Sequence, residues 1–139
     1  MTATEPAARV TKRRAGAAMG GLPVADPRPV FADGAVVGVR CTVCRYPAAQ
    51  TQIPWCPACH GAVAPERFEP VGTIWSATVV AIPVGERRPP FALAYLDLDD
   101  GPRLLVHMAT PDAPPIGGRA RITGTDAGDL VATAEGSGS

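Results

Sequence analysis

From Val71 to Ala134 short runs of alternating apolar and polar residues are separated by turn residues, and this pattern predicts five β-strands. Residues 71–82 (VGTIWSATVVAI) are rich in β-branched and aromatic side chains, which suit a pleated, half-buried surface, and Pro83 and Gly85 end the run. FALAYLDL (91–98) follows and stops at Asp99-Asp100-Gly101-Pro102, a strong turn signal. In RLLVHMA (103–109), Leu104, Val106 and Met108 share one face, with Arg103 and His107 on the other. After a Pro/Gly-rich loop (110–118), RARIT (119–123) sets Ala120 and Ile122 opposite Arg119, Arg121 and Thr123, and DLVATA (129–134) is the last strand. The chain is therefore expected to be mainly β. Five strands with this spacing fit an OB-fold, a partly open Greek-key barrel.

The first thirty residues behave differently. They are rich in Ala, Gly, Pro and Arg, show no amphipathic period, and carry helix-breaking Pro23, Pro27 and Pro29. This composition predicts a flexible basic arm over 1–30, then a cysteine-bearing ribbon over 31–70, an OB-fold domain over 71–134 and a disordered tail, EGSGS, over 135–139. The Lys12-Arg13-Arg14 run reads as a solvated stretch, or as a contact to a partner or a phosphate group.

Hydrophobic residues make up 46% of the 139, enough for a thin core that a metal clip or a partner subunit would reinforce. Formal net charge is zero, so total charge draws the chain neither to nucleic acid nor to an anionic membrane. No run approaches the roughly 18 apolar residues that cross a bilayer. The basic start lacks the apolar stretch of a secretory signal. The expectation is a cytoplasmic protein without a membrane role, in which paired cysteines read as metal ligands before disulfides.

All four cysteines fall in two matched pairs, Cys41-Thr42-Val43-Cys44 and Cys56-Pro57-Ala58-Cys59, eleven residues apart. Two residues between cysteines let one tight turn aim both sulfurs at one point, and its backbone amides can hydrogen-bond the thiolates. The spacer can run out and back as a loop or short hairpin and bring the turns face to face. This is a zinc-ribbon pattern, predicting that Cys41, Cys44, Cys56 and Cys59 bind one Zn2+. An all-cysteine site leaves no open position for water, so the zinc would be structural. Iron in a rubredoxin-like site suits the same four sulfurs. His60 follows Cys59 directly, but four thiolates already fill a tetrahedron, and the histidine is expected to face solvent. His107 has no visible nucleophile beside it.

The order of several short motifs now becomes informative. The ribbon, including Pro54 to Cys59, leads into a G-T-[VI]-W-S-x-T strand at Gly72 to Thr78. Pro89, Pro90 and Phe91 open the next strand, which runs through Ala94, Leu96 and Leu98 to an acidic turn at Gly101. Ile116 and Gly117 precede another strand. Over residues 34–125 this resembles the acyl-CoA-associated family with a rubredoxin-like zinc ribbon and an OB-fold, long catalogued as domain of unknown function thirty-five. The resemblance implies a ribbon docked on a barrel. It also implies an accessory subunit forming a hetero-oligomer with a thiolase-like, lipid-transfer-protein-like catalytic subunit. In relatives of that kind the larger subunit carries out retro-aldol chemistry on a steroid-CoA thioester, as part of steroid side-chain degradation and lipid metabolism. Other relatives accompany acetoacetyl-CoA thiolases or hydroxymethylglutaryl-CoA synthases. Three features depart from the family pattern: Arg45 stands where many relatives have glycine, the arm is Pro- and Gly-rich where an aromatic-rich helix often lies, and 110–118 offers no helix between the third and fourth strands.

The residues themselves assemble no nucleophile–base–orienter set and no phosphate-cradling glycine loop, so no catalytic residue is assigned. Trp55, Trp75, Phe68 and Phe91 fill the junction between ribbon and barrel or else face a partner. Arg87 and Arg88 sit in a loop where they would meet CoA phosphates, partner carboxylates or only water, so residues for acyl-CoA contact stay unknown. Two other functions fit a ribbon and a barrel: a single-stranded nucleic-acid-binding module and an iron-containing electron carrier. The first wants aromatic platforms in a positive groove, and the strands offer only Trp75, Phe91 and Tyr95 on a neutral chain.

Overall fold

The computed structural model describes residues 26–135, so the expected arm over 1–30 and tail over 135–139 lie outside the described residues except at 26–30 and Glu135. Nine strands form two sheets, and no helix occurs among the described residues.

The first sheet contains β1 (Val30–Ala32), β2 (Ala35–Cys41), β3 (Pro47–Ala48) and β4 (Val63–Phe68). β2 is its spine. β1 and β3 pair with successive parts of β2, and β4 pairs along it from Val36 to Cys41. Asp33 and Gly34 both have positive φ (51° and 75°), the backbone of a tight two-residue hairpin turn between β1 and β2. Gly38 is required where β3 crosses: a Cβ there would collide with the Ala48 carbonyl oxygen.

The second sheet closes into a barrel. Its strands are β5 (Val71–Val80), β6 (Phe91–Leu98), β7 (Arg103–Met108), β8 (Arg119–Asp126) and β9 (Asp129–Ala134), ordered β5-β6-β7-β9-β8. β7 and β9 run parallel, and β5 pairs with β8 to complete the ring. That strand order is the OB-fold. The alternation along β6 and β7 decides which face goes inside: Ala92, Ala94, Leu96, Leu98, Leu104 and Val106 are buried, while Tyr95 and Leu105 are half exposed.

The two sheets share one core. Val36 and Phe68 of the first sheet, with Ala49 just after β3, belong to the same buried cluster as Ile74, Leu96, Ile122 and Leu130 of the barrel. Phe68 is the aromatic that fills the junction. Trp55 and Trp75 are more than half exposed, and Phe91 is half buried, stacked on His107 with ring centroids 6.0 Å apart. Trp75 points outward because the β5–β6 register slips beside it. Ile74 pairs with Leu96 and Ser76 with Tyr95, so Trp75 is the extra residue of a β-bulge.

Candidate functional site

Each cysteine pair makes the same local structure. The Val43 and Cys44 amides donate to Cys41 Sγ at 3.3 Å, and the Ala58 and Cys59 amides donate to Cys56 Sγ at 3.3 and 3.4 Å. The Cys41 amide donates to the Tyr46 carbonyl at 2.9 Å, and the Cys56 amide donates to the Gly61 carbonyl at 2.8 Å, closing both turns in the same way. The first cysteine of each pair is fully buried and the second is exposed. Gly61 belongs to this packing, because a Cβ there would lie 2.9 Å from Val43 Cγ2 and 3.2 Å from the sulfurs of Cys41 and Cys59.

The four sulfurs lie within 4.8 Å of one another, with Cys41–Cys59 at 3.5 Å and Cys44–Cys56 at 3.7 Å. A tetrahedral zinc with Zn–S bonds of about 2.3 Å needs sulfurs about 3.8 Å apart. The donor set therefore fits one zinc ion, and it equally fits tetrahedral iron. The electrostatics point the same way. The Cys44 amide, against the cost of burial and with help from the Val43 amide, holds the Cys41 thiol down at about 6. At Cys59 the Gly61 amide favours the thiolate, but the sulfurs of Cys41 and Cys44 outweigh it and push the thiol up to about 12. Cys44 is also raised: the Tyr46 amide favours its thiolate, but burial and the sulfurs of Cys56 and Cys41 oppose it. Four thiolates this close repel one another unless a cation sits between them.

A buried guanidinium ties this site to the barrel. Arg40, next to Cys41, is 6% exposed. It donates to Glu66 Oε2 at 2.8 Å, to the Arg45 carbonyl at 2.9 Å and to the Asp100 carbonyl at 2.6 Å. Its Cζ lies 5.5 Å from the Phe68 ring centroid. One side chain thus touches β4, the first cysteine turn and the β6–β7 turn.

The outward face of β5, β6 and β7 carries a second group. Trp75 and Tyr95 meet edge to face with centroids 6.0 Å apart, and Arg103 lies 3.8 Å over the Trp75 ring. Arg103 is also held by Asp97 at 2.6 Å. Beyond them, Asp129 accepts from Arg87 at 2.9 Å and from Arg28 at 3.1 Å, with His107 Nε2 3.5 Å away.

Residues 66–125 match the family model described as the C-terminal OB-fold domain of ChsH2. The matched segment begins on β4 and covers the barrel through most of β8. Among solved structures, a chain titled "Ltp2-ChsH2(DUF35) aldolase" is 21% identical, with a TM-score of 0.55 over 72% of this chain and 83% of that one, and it shares the fold. No curated protein sequence matches the chain.

The structure brings Cys41, Cys44, Cys56 and Cys59 together and leaves both histidines out of the cluster. His60 is exposed, and His107 lies on the outward face of β7 with Phe91 and Asp129. Arg40 and Tyr46 were not legible as parts of the site. A charged residue between Val39 and Cys41 gives no sign that it is buried, since arginine is mostly exposed. Tyr46 acts through its backbone, which side-chain chemistry does not advertise.

Proposed function

We propose that this chain is a zinc-binding, non-catalytic accessory subunit that assembles with a thiolase-superfamily, lipid-transfer-protein-like enzyme acting on acyl-CoA thioesters. The preferred reaction is the retro-aldol step of steroid side-chain degradation, in the cytoplasm. The match of residues 66–125 to the ChsH2 C-terminal OB-fold domain carries this reading. The shared fold with a two-component Ltp2–ChsH2 aldolase supports it.

Cys41, Cys44, Cys56 and Cys59 would hold the ion, and zinc bound there supplies folding energy and neutralises the thiolates. The amides of both turns stabilise negative charge on Cys41 and Cys56. Arg40 fixes the first turn against the barrel.

Co-expression with a thiolase-like subunit tests the proposal. Both chains should co-purify as one complex, and aldol cleavage of a β-hydroxyacyl-CoA should need the larger chain. Cleavage by this chain alone would overturn the non-catalytic assignment.

A further inference from the structure

Four surface grooves of about 750, 670, 320 and 110 Å³ are all lined in part by one residue, Leu105. They therefore meet around Leu105 as one grooved area on the outward face of β5–β6–β7. It reaches Tyr46, just before β3, at one end and the β5–β6 loop at the other. Small-molecule sites usually span about 300–1,000 Å³ and enclose their ligand. A branched depression across two sheets suits a protein surface better.

Its chemistry narrows the occupant. Leu105, Tyr95 and the bulged Trp75 beside it are 46%, 43% and 51% exposed. Together they offer on the order of 300 Å² of largely apolar area, the size at which exposed patches mark interaction sites. Every arginine lining the depression is already ion-paired within the chain: Arg103 to Asp97, Arg87 to Asp129, and Arg28 to Asp26 and Asp129. Among the described residues, no lining arginine is left free for a phosphate or a nucleic-acid backbone. A second copy fits poorly as well, because two concave faces brought together by a twofold axis enclose a void. The complementary shape is an uncharged apolar protrusion on a different protein.

Resting on the function proposed above, we propose that this depression, centred on Leu105, is where the thiolase-like catalytic subunit docks. An apolar protrusion of that subunit packs against Leu105, Tyr95 and Trp75. The Arg103–Asp97 and Arg87–Asp129 pairs form the polar rim that excludes water from the contact.

The test uses the full-length chain co-expressed with a thiolase-like subunit. Leu105→Glu should weaken the complex roughly 30-fold or more, as expected for a central hot-spot residue, while zinc content and thermal unfolding of the variant alone stay at wild-type values. Ile116→Glu alters a more exposed apolar residue that lines none of the four grooves, and it should leave assembly unchanged. If Leu105→Glu fails to fold, Thr78→Glu, which adds charge to the same face without removing a packed group, should show the loss instead. A wild-type complex that tolerates the charged variant with unchanged affinity overturns this interface and leaves the proposed function standing. A wild-type chain that binds no thiolase-like subunit overturns the proposed function and this inference with it. A homodimer that Leu105→Glu dissociates assigns the face to a second copy and overturns the inference alone.

Discussion

Arg45 and His60 occupy matching positions, one directly after each cysteine pair, and both have left-handed backbone, with φ of 69° and 66°. The turn must reverse there so that the amides of Tyr46 and Gly61 can reach the sulfurs of Cys44 and Cys59. Glycine adopts this conformation without steric cost, and other L-residues do not. A glycine at either position would remove this steric cost. Arg45→Gly and His60→Gly should each stabilise the metal-loaded protein by about 0.5–1 kcal/mol, read from denaturant unfolding. The Arg40 contact survives the first change because it uses the Arg45 carbonyl.

Purified protein should contain one equivalent of zinc and be colourless. A strong chelator should unfold the first sheet, because the energy of metal binding is part of the energy of folding. Cys41→Ser or Cys56→Ser, which replace the two fully buried ligands, should abolish stoichiometric zinc binding and cost solubility or assembly. Elemental analysis and circular dichroism read both outcomes. A red protein with reversible one-electron chemistry would reassign the site to iron.

Arg40→Met should destabilise the protein by about 1–3 kcal/mol, because Glu66, one-third exposed, would lose its partner and two carbonyls their donor. Arg40→Lys should recover only part of this loss. A single ammonium cannot match a planar fork that serves three segments at once. Thermal or denaturant unfolding should rank Arg40→Lys between wild type and Arg40→Met.

Stability should also depend on pH through His107. Burial, with Arg87 adding repulsion, lowers its pKa below 6.5 in the folded protein. In the unfolded chain it protonates near 6.5, so the unfolded state binds the proton first. Stability is then unaffected at higher pH, falls as pH drops through 6.5, and stops falling below the folded pKa. His107→Gln should remove this step. A separate loss should appear at lower pH, where Asp129 and Asp99, both held below 3.8 by their arginines, become protonated. A variant with an unchanged profile between pH 7 and 5 would exclude the His107 contribution.

The sequence showed most of the barrel and the whole cysteine cluster. The predicted strands at 91–98 and 129–134 are those observed, and the one expected over 119–123 extends to Asp126. Its last residues were missed because Gly124 breaks the alternation, and the structure shows a register shift there, between Ile122 and Gly124. The first sheet was harder to foresee. β2 reads AVVGVRC, with no strict alternation, since it packs on the barrel on one side and ends in a buried cysteine of the cluster. The outward turn of Trp75 depends on a slipped register between two strands, which neither strand reveals alone.

The barrel closes through β5 and β8, so each of its five strands has a neighbour on both sides. Recognition on its outer face therefore rests mainly on the shape and identity of side chains. Partner choice can change by a few point substitutions on that skin while the hoop beneath keeps its form.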